Sequence, residues 1–188
     1  MRRVFVVACL LVGLSLASEA GAAPIVLTPG DTTCTSDDPS NPNGETVLAK
    51  VKACFGAGDT PLSLYYKDNV GGSEEGSFTS SYNTVFSNTS NDPADALISY
   101  ISGAAIKCPD CYLVVKDGNH KPAVYFFNLG AWNGMESLQL LGFWPKKGAI
   151  SNIAIWGATA NVNVPEPATL LLMGTGILGF VARRRRRT

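Results

Sequence analysis

The sequence has 188 residues with 15 basic and 15 acidic side chains, so its formal net charge is zero. That balance hides an asymmetry, because seven of the basic residues are arginines close to the two ends of the chain. Residues 23–164 contain eight lysines, no arginine and thirteen acidic residues, a net charge of −5. An acidic surface of this kind repels polyanions, which argues against nucleic acid as a partner. The length of this region is enough for one domain with a sizeable core.

The first 22 residues have the pattern of a secretory signal peptide. Arg2 and Arg3 form a positive start, residues 4–17 are apolar, and the small residues 20–22 offer a cleavage site. We expect export through the Sec machinery and cleavage by signal peptidase after Ala22. Residues 23–157 are then the exported domain.

A loop rich in Pro, Gly, Asp and Asn is predicted for residues 29–44. Its oxygen-bearing side chains at positions 37–45 could bind calcium in an irregular site, although the spacing does not fit an EF-hand. An ordinary polar loop is the alternative. We therefore expect no cofactor, with calcium left open.

One short helix and then a series of strands are predicted after this loop. The helix covers Thr46 to Cys54, where apolar residues recur at helical spacing before two glycines. Turn residues separate the later apolar segments, a pattern typical of an antiparallel β-sandwich. The predicted fold class is mainly β, an antiparallel β-sandwich with one short N-terminal helix, plus a single C-terminal transmembrane helix. The predicted strands are 62–66, 76–86, 96–101, 112–116, 123–128, 137–143 and 150–156.

Four cysteines remain once the signal peptide is removed: Cys34, Cys54, Cys108 and Cys111. An even number in an exported chain predicts disulfides. We favour Cys34–Cys54, between the loop and the helix end, and Cys108–Cys111 as a local link. A redox CxxC pair is the alternative, but Cys111 runs directly into a predicted strand, whereas reactive CxxC thiols usually lie at a helix N-terminus. A zinc site is disfavoured because Cys34 and Cys54 have no close partner in sequence.

Residues able to support catalysis are few. His120 is the single histidine and lies in a predicted hairpin turn, where exposure to solvent is expected. Glu74 and Glu75 could act as a hydrolytic carboxylate pair, but neighbours in a strand point to opposite faces. A solvated loop is the simpler interpretation, so we expect no enzyme activity and no catalytic residues.

Three tryptophans, Trp132, Trp144 and Trp156, admit two interpretations. Exposed indoles beside Asn and Asp could contact a glycan, or all three could be packed in the core or at its rim. Trp156 alternates with Ile153 and Ile155, so it should lie on the opposite face of its strand.

The C-terminal residues form a three-part tail after a short linker at 158–164. Val164, Pro165, Glu166 and Pro167 should be extended, since proline disfavours helix in the residue before it. Residues 168–182 carry no charge and predict a helix of roughly 22 Å, shorter than the ~30 Å hydrocarbon core. A basic block follows and should hold the C-terminus on the cytoplasmic side. It consists of Arg183, Arg184, Arg185, Arg186 and Arg187.

This tail, residues 165–188, resembles the PEP-CTERM sorting signal of Gram-negative bacteria, because it has Pro-Glu-Pro, the apolar helix and the arginine block in that order. The resemblance implies processing by an exosortase and a precursor anchored transiently in the inner membrane. It also implies delivery to the cell envelope or to an extracellular, biofilm-type matrix, with exopolysaccharide as a further partner.

A second resemblance covers about half of the exported domain, which is similar to a recurrent domain of PEP-CTERM proteins. The similar stretches are 115–119, 125–129, 132–134, 143–145 and 148–151. This similarity implies a shared fold and assigns no activity. The sequence thus predicts a non-enzymatic exported protein, with a carbohydrate-binding module as the first alternative and a CxxC redox or hydrolytic enzyme as the second.

Overall fold

A computed structural model describes residues 23–88, 92–144 and 148–158. The predicted signal peptide, residues 159–164 of the predicted linker and the whole C-terminal tail, including the predicted membrane helix, lie outside these ranges. Within them, no helix has both the length and the apolar character needed to cross a membrane.

Nine strands, one α-helix and one 3₁₀ turn make up the described part of the chain. The α-helix α1 is Gly44–Phe55 and the 3₁₀ turn is Pro29–Asp31. The strands are β1 Ile25–Leu27, β2 Thr35–Ser36, β3 Leu62–Asn69, β4 Tyr82–Ser87, β5 Asp95–Tyr100, β6 Cys111–Lys116, β7 Val124–Asn128, β8 Leu138–Leu140 and β9 Asn152–Ala158.

The strands form two sheets that pack face to face. One sheet has the order β1-β8-β5-β4, and the other has the order β2-β7-β6-β9-β3. The core between them contains Ile98 and Leu140 from the first sheet, and Leu113 and Ile155 from the second, all at most 1% exposed. The mainly β prediction is confirmed. Full antiparallel pairing is wrong in one place, because β1 and β8 run parallel.

Helix α1 covers the outer face of the five-stranded sheet and forms a third layer. Val47 and Val51 are fully buried there and pack in one cluster with Val114 of β6. The side chain of Asn43 caps the helix by accepting a hydrogen bond from the backbone N–H of Thr46, at 2.9 Å. The helix therefore begins two residues earlier than Thr46, the predicted start.

Two predicted strands are shorter than expected. In the segment 76–86, residues up to Ser81 form turns, with the Ser81 N–H bonded to the Phe78 carbonyl oxygen at 2.9 Å. In the segment 137–143, pairing ends at Leu140, because Gly142 has a left-handed backbone with φ of 70°. Phe143, beyond that turn, is nevertheless fully buried between the sheets.

Candidate binding cleft

The described residues contain two disulfides, Cys34–Cys54 and Cys108–Cys111, which is the connectivity favoured by the sequence. The first joins the residue before β2 to the last turn of α1, so it fastens the helix to the edge of the five-stranded sheet. The second lies directly before and at the start of β6. Neither pair is at a helix N-terminus, where a thiol would be activated.

Trp132 and Trp144 belong to the core and cannot stack on a sugar. They are 3% and 8% exposed. Their indole N–H groups donate to backbone oxygens, Trp132 to Glu136 at 2.7 Å and Trp144 to Pro122 at 2.9 Å. Of the two interpretations of these residues, glycan contact is wrong for Trp132 and Trp144, which pack in the core.

Trp156 is in a different position. It lies on the outer face of β9, opposite to Ile153 and Ile155 as predicted, and its register partners are Leu64 of β3 and Tyr112 of β6. The side chain is half-buried, and its ring N–H is buried with no hydrogen-bond partner among the described residues. A buried donor without a partner costs roughly 1–3 kcal/mol.

A cleft of about 220 Å³ lies beside this indole, between the N-terminal end of α1 and strand β3. Its apolar floor includes Leu64, Val114 and Ala154. Pro42 also lines the cleft, and the polar residues of its lining are Asn41, Asn43, Lys67, Glu75 and Asn152.

The start of α1 is fixed against the indole by a glycine. A Cβ atom at Gly44 would lie 2.6 Å from the Leu62 carbonyl oxygen and 3.3 Å from Cζ3 of Trp156. No other residue fits this approach without displacing the helix. The start of α1, which forms one wall of the cleft, is therefore positioned by the packing of the helix against the sheet.

Two lysines lie in or near the lining of the cleft. Lys67 donates to Glu75 at 2.9 Å, and this bond holds the pKa of the Glu75 carboxyl below its usual value. Lys116 lies opposite Asn152 in the β6–β9 register and is 6% exposed. Burial lowers the pKa of its ammonium group, Asp117 and Asp38 act to raise it, and the nearby positive charge of Lys67 acts to lower it. Lys67 thus has a direct acidic partner, whereas Lys116 has both acidic and cationic neighbours.

His120 forms part of a structural turn. Its Nδ1 lies 2.8 Å from Oδ2 of Asp117, and the same carboxylate accepts the N–H groups of Asn119 and Ala149. The side chain is 40% exposed, so the predicted exposure is only partial. A catalytic triad requires a nucleophilic side chain hydrogen-bonded to the histidine. Among the described residues, no Ser, Thr or Cys side chain forms such a bond with His120.

The carboxylates of Glu74 and Glu75 do not form a pair that could act on the same substrate bond. Glu74 accepts a hydrogen bond from the Tyr66 hydroxyl at 3.0 Å, whereas Glu75 bonds Lys67 and Asn69. Each carboxylate thus has a separate structural partner.

The Asp/Asn loop uses its oxygens locally. Asp38 accepts the Ser40 N–H at 2.9 Å, Asn43 caps α1, and Asp37 lies 3.6 Å from Lys121. The described ranges contain no group of three or more His, Cys, Asp or Glu side chains able to hold a metal ion.

Sequence reasoning identified Trp156 and missed the rest of the cleft. Lys67, Glu75 and Asn152 come from separate strands and loops, and their meeting depends on the pairing of β3 with β9 and on the bridge between Lys67 and Glu75. The Asn41-Pro42-Asn43 segment is part of the polar loop that the sequence predicts, and it lines the cleft at the start of α1.

The sorting residues Val164 to Pro167 and Arg183 to Arg187 lie outside the described ranges. A family model for the PEP-CTERM protein-sorting motif matches residues 163–187, which includes all of them. Comparison with curated proteins gave no match, and comparison with solved structures gave none either.

Proposed function

We propose that this chain, whose residues 163–187 match the PEP-CTERM protein-sorting motif, is an exported substrate of an exosortase and a non-enzymatic component of the cell envelope or extracellular matrix. The Sec machinery and signal peptidase produce a precursor whose apolar run 168–182 rests in the inner membrane. The exosortase then cuts near Pro-Glu-Pro and releases the acidic domain. The sorting motif at 163–187 is the observation that carries this proposal.

The described side chains support a role without catalysis. Cys108 and Cys111 are joined and lead into a strand, the two glutamates have separate partners, and His120 completes a turn. We propose no cofactor for this domain. Its two sheets, helix layer and disulfides instead suit a stable module for an oxidising compartment.

A second candidate function is glycan binding, favoured by one observation. Trp156 lines a cleft and has a buried ring N–H without a partner among the described residues. The matrix around the exported protein would supply such a ligand as exopolysaccharide.

The sorting proposal is tested in cells with and without the exosortase. Without the enzyme, we expect a longer, membrane-retained form to accumulate, because the apolar run and arginine block stay attached. Immunoblots of membrane and released fractions measure this. In competent cells, Glu166→Ala with Pro167→Ala should reproduce the defect, and Asn161→Ala in the linker should not. The same size and distribution in both strains would contradict the proposal.

A further inference from the structure

We propose that the cleft beside Trp156 binds one uncharged pyranose unit of a polysaccharide, with the indole as its central contact. This inference deepens the glycan-binding candidate above. It does not depend on exosortase processing, so the two can fail separately.

The size of the cleft limits the ligand. Pockets for drug-sized ligands have volumes of roughly 300–1,000 Å³, and this cleft has about 220 Å³. The space therefore suits a single ring of a longer chain. Because the cleft opens at the surface between α1 and β3, the remaining units of the polymer would extend into solvent.

The chemistry of the lining matches the two kinds of surface on a pyranose. A sugar ring has an apolar C–H face and a rim of hydroxyl groups. The cleft has an apolar side, formed by Trp156, Leu64 and Val114, and amide groups on its rim from Asn41 and Asn43. Asn43 uses its oxygen to cap α1, so its NH₂ group is left to donate.

The ring N–H of Trp156 is closed to solvent. A ligand in the cleft therefore contacts the accessible part of the indole ring, and the hydrogen bonds to its hydroxyl groups come from the amide groups of the lining.

Local charge favours a neutral sugar over an acidic one. Lys67 is paired with Glu75 at 2.9 Å, and Lys116 has Asp38 and Asp117 as acidic neighbours. Residues 23–164 carry a net charge of −5. A uronate would have to disrupt a pair or approach an acidic surface, at an energetic cost that a neutral pyranose avoids.

The site is preorganised. Trp156 stands on β9, which is paired on both sides, by β3 and by β6. The absence of a side chain at Gly44 lets the start of α1 lie close to Leu62 and to the Cζ3 edge of the ring. The Cys34–Cys54 disulfide holds the other end of the helix. Rigid walls reduce the ordering cost of binding.

The test uses the exported full-length protein in a detergent without a sugar headgroup, labelled with ¹⁵N at its tryptophans. Hexamers of glucose, mannose and N-acetylglucosamine are titrated, with a uronate hexamer and a peptide of residues 159–164 for comparison. Trp156→Phe identifies the Trp156 indole resonance. We expect that resonance to shift and saturate with at least one neutral hexamer, while those of Trp132 and Trp144 stay in place.

Affinities measured by calorimetry give the second readout. Trp156→Phe replaces the indole by a smaller ring, reduces the apolar area in contact with the ligand and should weaken binding about two- to tenfold. Asn41→Ala should weaken binding without a change in melting temperature, and Asn83→Ala, an exposed residue of the other sheet, should leave it unchanged. No shift with any neutral hexamer would overturn the inference. So would a response to the uronate or the peptide alone, or equal affinity in Trp156→Phe.

Discussion

Asp68 shows how a single buried charge affects this domain. It is 8% exposed on the inward side of β3, and its pKa is raised by burial and, to a smaller degree, by the negative charge of Glu74. The folded protein therefore holds this proton more tightly than the unfolded chain does. The stability linked to Asp68 is present below the ordinary value of 3.8 and is lost as the pH rises through the folded pKa.

Replacement of this carboxylate should stabilise the protein at neutral pH. We expect Asp68→Asn to raise the free energy of unfolding at pH 7, because the amide removes a buried charge, and to lose this advantage near pH 3. Urea unfolding at both pH values measures the difference. Asp37→Asn, at an exposed position, should show little effect. An Asp68→Asn protein less stable than wild type at pH 7 would contradict the assignment.

The three tryptophans show when the position of a side chain can be predicted from the sequence. Trp156 was placed on the correct face by its alternation with Ile153 and Ile155, since the period of a strand is local. Trp132 and Trp144 lie in loops, where no period exists. Their ring nitrogens donate to backbone carbonyl oxygens, that of Trp132 to Glu136 four residues away and that of Trp144 to Pro122 twenty-two residues away, and both side chains are buried by tertiary packing.

Among the secondary-structure elements, the longer central strands and the helix could be predicted from the sequence, whereas two short edge strands could not. The alternating segments at β6, β7 and β9 and the periodic helix α1 were found within a few residues. Strands β1 and β2 have three and two residues, too short for any pattern, and exist because β8 and β7 pair with them. The local sequence does not indicate that a segment will pair with a strand about a hundred residues away.

The two disulfides should contribute unequally to stability. The pair Cys34–Cys54 has a sequence separation of 20, and the pair Cys108–Cys111 a separation of 3. Since loop-closure entropy grows with loop length, removal by double alanine substitution should cost about 3 kcal/mol for the first pair and about 2 kcal/mol for the second. Denaturant unfolding of the two variants, each the control for the other, measures this. A larger loss for Cys108–Cys111 would contradict the entropic account.

At the scale of the whole molecule, charge is divided between the domain and its ends. The exported region is acidic, with a net charge of −5, and all seven arginines lie in the segments assigned to export and sorting. Removal of both ends would convert a membrane-associated precursor into an acidic domain. The tail motif at 163–187 could be recognised from the sequence because it is contiguous, whereas the cleft is formed by residues from separate elements.

The intact mass of the released protein tests this account most directly. Processing at both ends predicts a mass that lacks residues 1–22 and also lacks the apolar run and arginine block that follow Pro-Glu-Pro. High-resolution mass spectrometry of protein isolated from the envelope or the medium provides the value, and peptide mapping assigns both ends. A mature protein that still contains residues 168–187 would contradict exosortase processing.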